Sequence, residues 1–411
     1  MKNSNRGKSN LVKRGLAVIL ILVVLSSAGC WDQNEILDLA LVVAIGIDKG
    51  RNPEEQVILT IQVANSRAII PGDGGGGGAA EAFWTVTGRG RTGRQATYQL
   101  SHRVPRIIFF GHNRVFIIGE DAARSGMIPY LDRINRSQQS RPSMYLAIAR
   151  GTAQNVLETR MPTFQSSGLA LVNLFELGNR HNIYPVRLYE FNYNLNTGTT
   201  SAVAPIVAVA RQTSVSEAEG SQSAKALVVK NLAVFDHEGR MIGELEEVET
   251  LGFLWVRNGF TSRELIVSCP VAGPQEPVAL ELRHSKSRTV VESGRNGLPR
   301  FRIQVESEFD LAEHFGDHAG MNNPLYLDSL EKRANTQVVK EIDAVIRKAR
   351  ELNADVLGLG EEVRRQRPDL WPALKMNWPD VFPMVEIVAE SKSVIRSRGL
   401  TVESAGTVQE H

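Results

Sequence analysis

The first thirty residues constrain this chain most, because they determine the compartment in which the rest must fold. Five basic residues and no acidic residue precede an uninterrupted apolar run of ten residues, Leu16 to Leu25. A permanent membrane-spanning helix needs about 20 apolar residues, whereas a shorter run behind a basic segment is typical of a secretory signal peptide. We therefore predict that residues 1–29 are a signal peptide and that the mature chain folds after export.

A cysteine follows the small residues that close this segment. Ser26-Ser27-Ala28-Gly29 precedes Cys30 and resembles a bacterial lipobox, in which the cysteine receives a diacylglycerol and becomes the mature N-terminus. A leucine-like residue usually stands three positions before that cysteine, where this chain has Ser27. The alternative, an ordinary signal, would leave Cys30 as a reactive thiol in an oxidising compartment. We predict a lipoprotein, cleaved between Gly29 and Cys30 and anchored by acyl chains such as palmitate to the outer face of the cytoplasmic membrane.

Net charge and cysteine content exclude other classes of protein. The formal net charge of +2 arises from the signal segment, so the mature chain lacks the basic field that nucleic-acid binding requires. Cys269 is the second of two cysteines, so lipidation of Cys30 leaves no partner for an internal disulfide. The apolar surroundings of Cys269 predict a buried thiol. Stability must therefore come from apolar cores.

Hydrophobic periodicity predicts an α+β fold with several domains, in which mixed or antiparallel sheets are covered by helices. Residues 39–64 are rich in β-formers on both sides of a turn at Asp48-Lys49-Gly50 and predict a β-hairpin. Helical spacing over 121–135 predicts one helix. An apolar stripe from Leu330 to Leu352 predicts a long amphipathic helix in the C-terminal domain.

Breaks in this periodicity divide the mature chain. Five consecutive glycines, Gly74 to Gly78, predict a flexible surface loop, and the polar segment Arg211–Ser223 predicts a domain junction or exposed loop. The resulting division is an N-terminal α+β region at 30–210, which a further break near 160–200 can split into two subdomains, a C-terminal α+β domain at 224–400 and a disordered tail at 401–411.

The sequence predicts no catalytic, cofactor or metal site. The run from Gly88 to Gly93 matches the glycine pattern of dinucleotide-binding folds, but the acidic residue expected about 20 positions later is missing. We therefore interpret it as a strand-to-helix turn. His314 and His318 have i,i+4 spacing, but the residues between them, including Gly316, do not fit a zinc-protease helix.

Three large aromatic residues near the C-terminus, each followed by proline, have two interpretations. Trp371, Trp378 and Phe382 either wedge between the long helix and the last strand or form a platform for a partner protein. The sequence leaves both open.

A set of separate motifs is spread over roughly residues 29–400. The motifs are Gly29-Cys30-Trp31-Asp32, Glu35-Ile36, Asp38-Leu39-Ala40, Gly46-Ile47-Asp48, Gly111 to Val115, Ile118-Gly119-Glu120, Leu131-Asp132-Arg133, Asn135-Arg136, Arg141, Ala149 to Ala153, Asp355 to Gly360, Trp371, Trp378 and Phe382-Pro383. Together they resemble the Ger(x)C spore-germination lipoproteins. The resemblance is carried by the combination of these pieces rather than by any one of them.

This resemblance implies a non-enzymatic subunit with a three-domain α+β arrangement. Members of the family sit on the outer surface of the inner spore membrane beside two polytopic subunits, A and B, in a germinant receptor that senses small nutrients. It implies no ligand-binding residue in this chain. The alternative is an exported solute-binding lipoprotein of a transporter, which would share the anchor at Cys30, but such proteins usually show repeated βαβ units around a hinge.

Overall fold

The computed structural model describes residues 15–17, 38–65, 82–161, 164–211, 225–271, 273–294, 297–314 and 324–397. The predicted cleavage site and lipidation site at Gly29 and Cys30, the glycine run and the predicted tail lie outside these ranges. The described part combines helices with two mixed sheets, which confirms the predicted α+β class and its multi-domain organisation. Among the described residues, no helix has the length and apolar character that crossing a membrane requires.

The elements alternate along most of the chain. The strands are β1 (Leu39–Lys49), β2 (Val57–Ala64), β3 (Phe83–Gly90), β4 (Ile107–Phe109), β5 (Val115–Gly119), β6 (Tyr145–Ala149), β7 (Val186–Arg187), β8 (Val203–Arg211), β9 (Lys225–Phe235), β10 (Met241–Leu245), β11 (Glu264–Cys269), β12 (Gly273–Ser293), β13 (Pro299–His314) and β14 (Glu386–Ser397). The helices are α1 (Gly93–Ser101), α2 (Glu120–Ser125), α3 (Ile128–Asn135), α4 (Ala153–Glu158), α5 (Ser167–Glu176), α6 (Leu188–Thr197), α7 (Glu247–Val256), α8 (Pro324–Glu351), α9 (Leu359–Gln366), α10 (Trp371–Leu374) and α11 (Trp378–Val381). Short 3-10 turns complete the set at Phe110–His112, Gly178–Arg180, Lys375–Asn377 and Phe382–Met384.

The first sheet has the strand order β10-β9-β8-β6-β5-β1-β2-β3, with β4 also paired to β1 and β7 to β6. The predicted hairpin at 39–64 is β1 and β2, which pair antiparallel from Leu41 with Ala64 to Lys49 with Val57. At the centre, β1, β5, β6 and β8 run parallel. Parallel strands are covered on both faces and read as continuous apolar runs, which is the case for the fully buried β5 and β6.

Strands β9 and β10 extend this first sheet. β9 pairs antiparallel with β8, from Val203 with Val234 to Arg211 with Lys225, and β10 pairs with β9 at the edge. Strands β8 and β9 lie on either side of the polar segment Arg211–Ser223, in which the sequence predicts a junction. The first sheet is therefore completed by residues that follow that segment.

The second sheet, β11-β12-β13-β14, carries the long helix α8. Its strands β12 and β13 pair antiparallel, and β14 returns parallel to β13. Leu330, Ala334, Val338, Ile342 and Val345 of α8 are buried, which confirms the predicted apolar stripe. The helix also packs against α7, which follows β10, so that one buried core connects both sheets.

Candidate functional site

Motif residues from three separate parts of the chain meet at the carboxyl ends of neighbouring parallel strands. Asp48 lies near the end of β1, Gly119 ends β5, and Arg150 follows the end of β6. From β1 the chain turns to β2 on one side, whereas from β5 it passes to β6 on the other. Open sheets bind ligands where the strand connections diverge in this way. This edge is therefore the first candidate functional site.

Asp48 is buried and binds the start of α4. Its Oδ1 accepts a hydrogen bond from Ala153 N at 2.7 Å, and its Oδ2 accepts one from Gln154 N at 2.9 Å. A Cβ atom at Gly119 would lie 2.0 Å from Oδ1, so the neighbouring strand must carry glycine at this position. Burial raises the pKa of the Asp48 carboxyl, although the two backbone N–H groups act in the opposite direction. Asp48 thus joins β1, β5 and α4.

A charged network surrounds this carboxylate. Glu120 accepts hydrogen bonds from Arg124 Nη2 at 2.8 Å and from Gly151 N at 3.3 Å. Arg150 donates to Glu244 of β10 at 2.5 Å and lies 3.9 Å from Glu120. Burial tends to raise the pKa of Glu120, but Arg124, Gly151 and Arg150 together hold it below its ordinary value. We call Asp48, Glu120, Arg124, Arg150 and Glu244 the carboxyl-edge cluster.

An open crevice of about 880 Å³ lies beside the carboxyl-edge cluster, lined by side chains of both charges that include Lys49, Arg51 and Asp121. Charged walls of this kind suit contact with polar groups rather than apolar ones. Within the described ranges, no three His, Cys, Asp or Glu side chains are grouped so as to hold a metal ion. The ion pairs of the cluster and the hydrogen bonds of Asp48 to the start of α4 organise this edge.

Asp48→Asn is expected to remove one contribution to the pH dependence of stability. Because the pKa of Asp48 is raised on folding, the folded protein holds this proton more tightly than the unfolded chain does. The contribution is fully present below the ordinary pKa of 3.8 and is lost as the pH rises through the folded value. Urea titrations should show that the free energy of unfolding falls more steeply with rising pH in the parent than in the variant. Parallel pH profiles would contradict this role.

A second group of motif residues builds the junction between the two halves. The buried Asp355 carboxylate accepts hydrogen bonds from three successive N–H groups at the start of α9, those of Gly358, Leu359 and Gly360, at 2.7–2.9 Å. Trp378 Nε1 donates to the same carboxylate at 3.0 Å. The Asp355 carbonyl accepts from Ser201 N at 2.8 Å, just before β8 of the first sheet. Asp355 therefore connects α9, α11 and the first sheet.

The three aromatic residues lie in the core. Trp371, Trp378 and Phe382 are all buried, and Trp378 is only 2% exposed. The ring centroids of Trp371 and Trp378 are 5.8 Å apart, and those of Trp378 and Phe301 of β13 are 6.3 Å apart. Of the two interpretations that the sequence left open, the structure supports a core position rather than a platform for a partner protein, and the contacts of Trp378 are with Phe301 of β13 and with Asp355.

Sequence reasoning missed a buried ion pair. Arg263 donates two hydrogen bonds to Glu341 of α8, at 2.6 and 2.7 Å, and both side chains are almost fully buried. Trp255 Nε1 donates to the same carboxylate at 2.8 Å, and Gln337 Nε2 donates to it at 3.0 Å. One signal was available, because Glu341 follows Ala334 by seven residues and so falls on the apolar stripe of α8.

The glycines, the cysteine and the histidines that the sequence singled out can also be located in the fold where they are described. Gly88 and Gly90 lie in β3 and α1 begins at Gly93, as predicted for a strand-to-helix turn. A Cβ atom at Gly88 would lie 2.4 Å from the Ala96 carbonyl oxygen, so glycine allows the helix to pack on the strand. Cys269 is buried, as predicted, with its Sγ 3.7 Å from Tyr326 Oη. His314 ends β13, and His318 lies outside the described residues.

Comparison with known proteins gives matches over nearly the whole chain. The family model described as spore germination protein N-terminal domain matches residues 32–209, and the one described as spore germination B3/GerAC like, C-terminal, matches residues 230–399. Spore germination protein KC of Bacillus subtilis (strain 168) is 26% identical over 397 residues, which cover 94% of this chain and 96% of that protein. Spore germination protein YndF of the same organism is 28% identical over 433 residues, covering 98% of this chain and 99% of that protein.

A solved structure shares the fold. The crystal structure of the GerBC protein superposes with a TM-score of 0.55 at 19% sequence identity, covering 85% of this chain and 96% of that chain. At this identity the similarity concerns the fold alone.

Proposed function

This chain belongs to the Ger(x)C family of spore germination proteins, and we propose that it is the non-enzymatic, lipid-anchored subunit of a germinant receptor. The observation that supports this most is that both family models match, in order, over 32–209 and 230–399. Cys30 stands two residues before the first matched region. In this proposal the diacylglycerol on Cys30 holds the folded part on the outer face of the inner spore membrane.

The settings of the motif residues agree with a binding role rather than with catalysis. The carboxylate oxygens of Asp48 and Asp355 accept hydrogen bonds from backbone N–H groups at helix starts. Neither carboxylate is therefore placed to exchange a proton with a substrate. The charged members of the carboxyl-edge cluster are paired with one another. We propose that the chain acts by holding the polytopic A and B subunits in a nutrient-responsive assembly that is required for germination.

Cys30→Ala is expected to abolish lipidation. In cells supplied with an alkyne analogue of palmitate, the parent should become labelled and this variant should not. Cys269→Ala is the matched control, because it removes the other cysteine of the chain, which is buried in the second half of the fold. Equal labelling of parent and Cys30→Ala would contradict the anchor.

The same substitution tests the requirement for anchoring. An uncleaved signal could itself hold the variant in the membrane, so Cys30→Ala is also to be expressed behind an ordinary secretory signal that is cleaved. We expect that protein to move to the soluble fraction, because it lacks the acyl chains that would hold the folded domain on the bilayer. Nutrient-triggered germination of the spores should fall accordingly. Full germination with a soluble, unlipidated chain would contradict the proposal.

A further inference from the structure

A second crevice, of about 580 Å³, lies between α1 and α3 beside strands β1 and β2. Its apolar lining comes from Ile47, Val57 and Tyr130, which are all buried. A space of this size and character suits a small organic molecule. The charged side chains along it are Arg91, Arg94, Arg133, Arg136 and Asp132. We call it the arginine crevice.

Two of these arginines are neutralised by carboxylates. Arg136 Nε donates to both carboxylate oxygens of Asp132, at 2.8 and 2.9 Å. Arg91 Nη2 donates to Glu54 at 2.6 Å. In each pair one positive charge faces one negative charge, so neither pair adds net charge to the crevice.

The other two arginines have no such partner. Within the ranges that the structure describes, neither Arg94 nor Arg133 forms an ion pair, and the side-chain hydrogen bond of Arg133 is to the Thr97 hydroxyl at 3.3 Å. Burial lowers the pKa of Arg133, and the positive charge of Arg94 lowers it further. Two like charges therefore lie near each other without a counter-charge from the described part of the chain.

Packing fixes the position of Arg133. A Cβ atom at Gly93 would lie 3.1 Å from Arg133 Cγ and 3.5 Å from its Cδ, so the arginine stem lies directly on the first residue of α1. The hydrogen bond to Thr97 holds the guanidinium group against the next turn of the same helix. Because this side chain is already ordered, a ligand that binds it loses less conformational entropy.

The start of α1 supplements the two arginines. Thr92 caps the helix, and its Oγ1 accepts a hydrogen bond from Gln95 N at 3.2 Å. The N–H groups of Gly93 and Arg94, the first two residues of the helix, have no acceptor within it. Both residues line the arginine crevice, and the positive end of the helix dipole favours an anion there.

We propose that the arginine crevice binds the phosphate monoester group of an organic ligand. Two unpaired guanidinium groups match the charge of about −2 that such a phosphate carries near pH 7, and its three oxygens accept hydrogen bonds from both. The buried apolar side chains contact the organic part of the ligand. This inference goes beyond the proposed anchor and subunit role, and it depends on neither.

Isothermal titration of the purified full-length protein in detergent with phenyl phosphate tests this site. Inorganic phosphate lacks the ring, and benzoate keeps the ring with a single negative charge. We expect phenyl phosphate to bind about tenfold more tightly than either probe, because only phenyl phosphate combines the apolar contact with a double charge. The affinity should fall as the salt concentration rises.

Substitution of the two arginines locates the binding. Arg94→Gln and Arg133→Gln should each weaken the binding of phenyl phosphate by about tenfold or more, since each removes a charged donor. Arg288→Gln is the matched control and should bind like the parent, because Arg288 is an exposed arginine of β12 without an ion pair among the described residues. Arg94 is also exposed, so its replacement keeps the test valid even if Arg133→Gln unfolds.

A soluble lipid identifies the source of the phosphate. Dihexanoyl phosphatidic acid carries the same phosphate monoester, and tighter binding of this lipid than of phenyl phosphate would assign the site to a lipid headgroup. Weaker binding would assign it to a free organic phosphate. The proposal is overturned if neither compound binds, if Arg94→Gln binds phenyl phosphate like the parent, or if benzoate binds as tightly as phenyl phosphate.

Discussion

Replacing Glu341 with alanine should lower the free energy of unfolding by about 3–5 kcal/mol, because it leaves a buried charge without its partner. Arg263 donates two hydrogen bonds to this carboxylate, and Trp255 and Gln337 donate one each. All of these donors would lose their acceptor in an interior that water does not reach. Urea unfolding of the purified protein in detergent, followed by tryptophan fluorescence, measures the change.

Two further variants show whether the lost pairing is the cause. Arg263→Met combined with Glu341→Leu removes both charges and fills the space, so we expect it to recover most of the loss. Glu308→Ala breaks the pair with Arg396, which is largely exposed and screened by water, and should change the free energy of unfolding far less than Glu341→Ala does. A loss below about 1 kcal/mol in Glu341→Ala would mean that water enters this site and solvates the arginine.

Trp378→Ala should lower the free energy of unfolding by about 3–5 kcal/mol, because it creates a cavity in a close-packed core. The ring lies between Trp371, Phe382 and Phe301, and its Nε1 hydrogen bond holds the carboxylate that binds the start of α9. The loss should also weaken the contact with Ser201, since Asp355 connects both halves. Thermal and urea unfolding of the purified protein test this.

Two milder substitutions separate the loss of the hydrogen bond to Asp355 from the loss of the buried ring. Trp378→Phe retains an aromatic ring but removes the donor to Asp355, and should cost about 1–3 kcal/mol. Met376→Ala, two residues away in the same segment and 83% exposed, should change stability by no more than about 0.5 kcal/mol. Equal effects of the changes at 376 and 378 would contradict a core role for Trp378.

Much of the fold could be predicted from the local periodicity of apolar residues. The stripe on α8 and the hairpin β1–β2 were both predicted, because each is fixed by residues close together in the chain. The single helix predicted over 121–135 is instead two helices, α2 and α3, which are separated at Gly126, where φ is +110°. A lone glycine does not reveal from sequence whether it will adopt a positive φ.

Long-range pairing was not readable in the same way. Ala44 pairs with Val115 across an intervening hairpin, strand and helix, so the parallel centre of the first sheet depends on contacts that no local pattern records. The addition of β9 and β10 is of the same kind.

The candidate sites were predicted in part. Motif residues of the resemblance lie together at the carboxyl-edge cluster and around Asp355, but no local pattern in the sequence predicts that they meet. The roles of Asp48 and Asp355 depend on backbone N–H groups, which every residue type offers, so the pairing becomes visible only in three dimensions. Whether the tryptophans were core or surface depended on contacts of Trp378 with Phe301 and Asp355, which are far from it in the sequence. Lipidation of Cys30 stays a prediction.

The position of β9 has a consequence for any attempt to shorten this protein. A chain that stops at Arg211 would leave the edge of β8 without its antiparallel neighbour, and most of Val203–Arg211 is apolar. An unpaired apolar edge is a template for strand addition between molecules, which leads to aggregation or domain swapping. The segment matched by the N-terminal family model therefore does not form a closed folding unit, and a well-behaved fragment must extend through Leu245 at the end of β10.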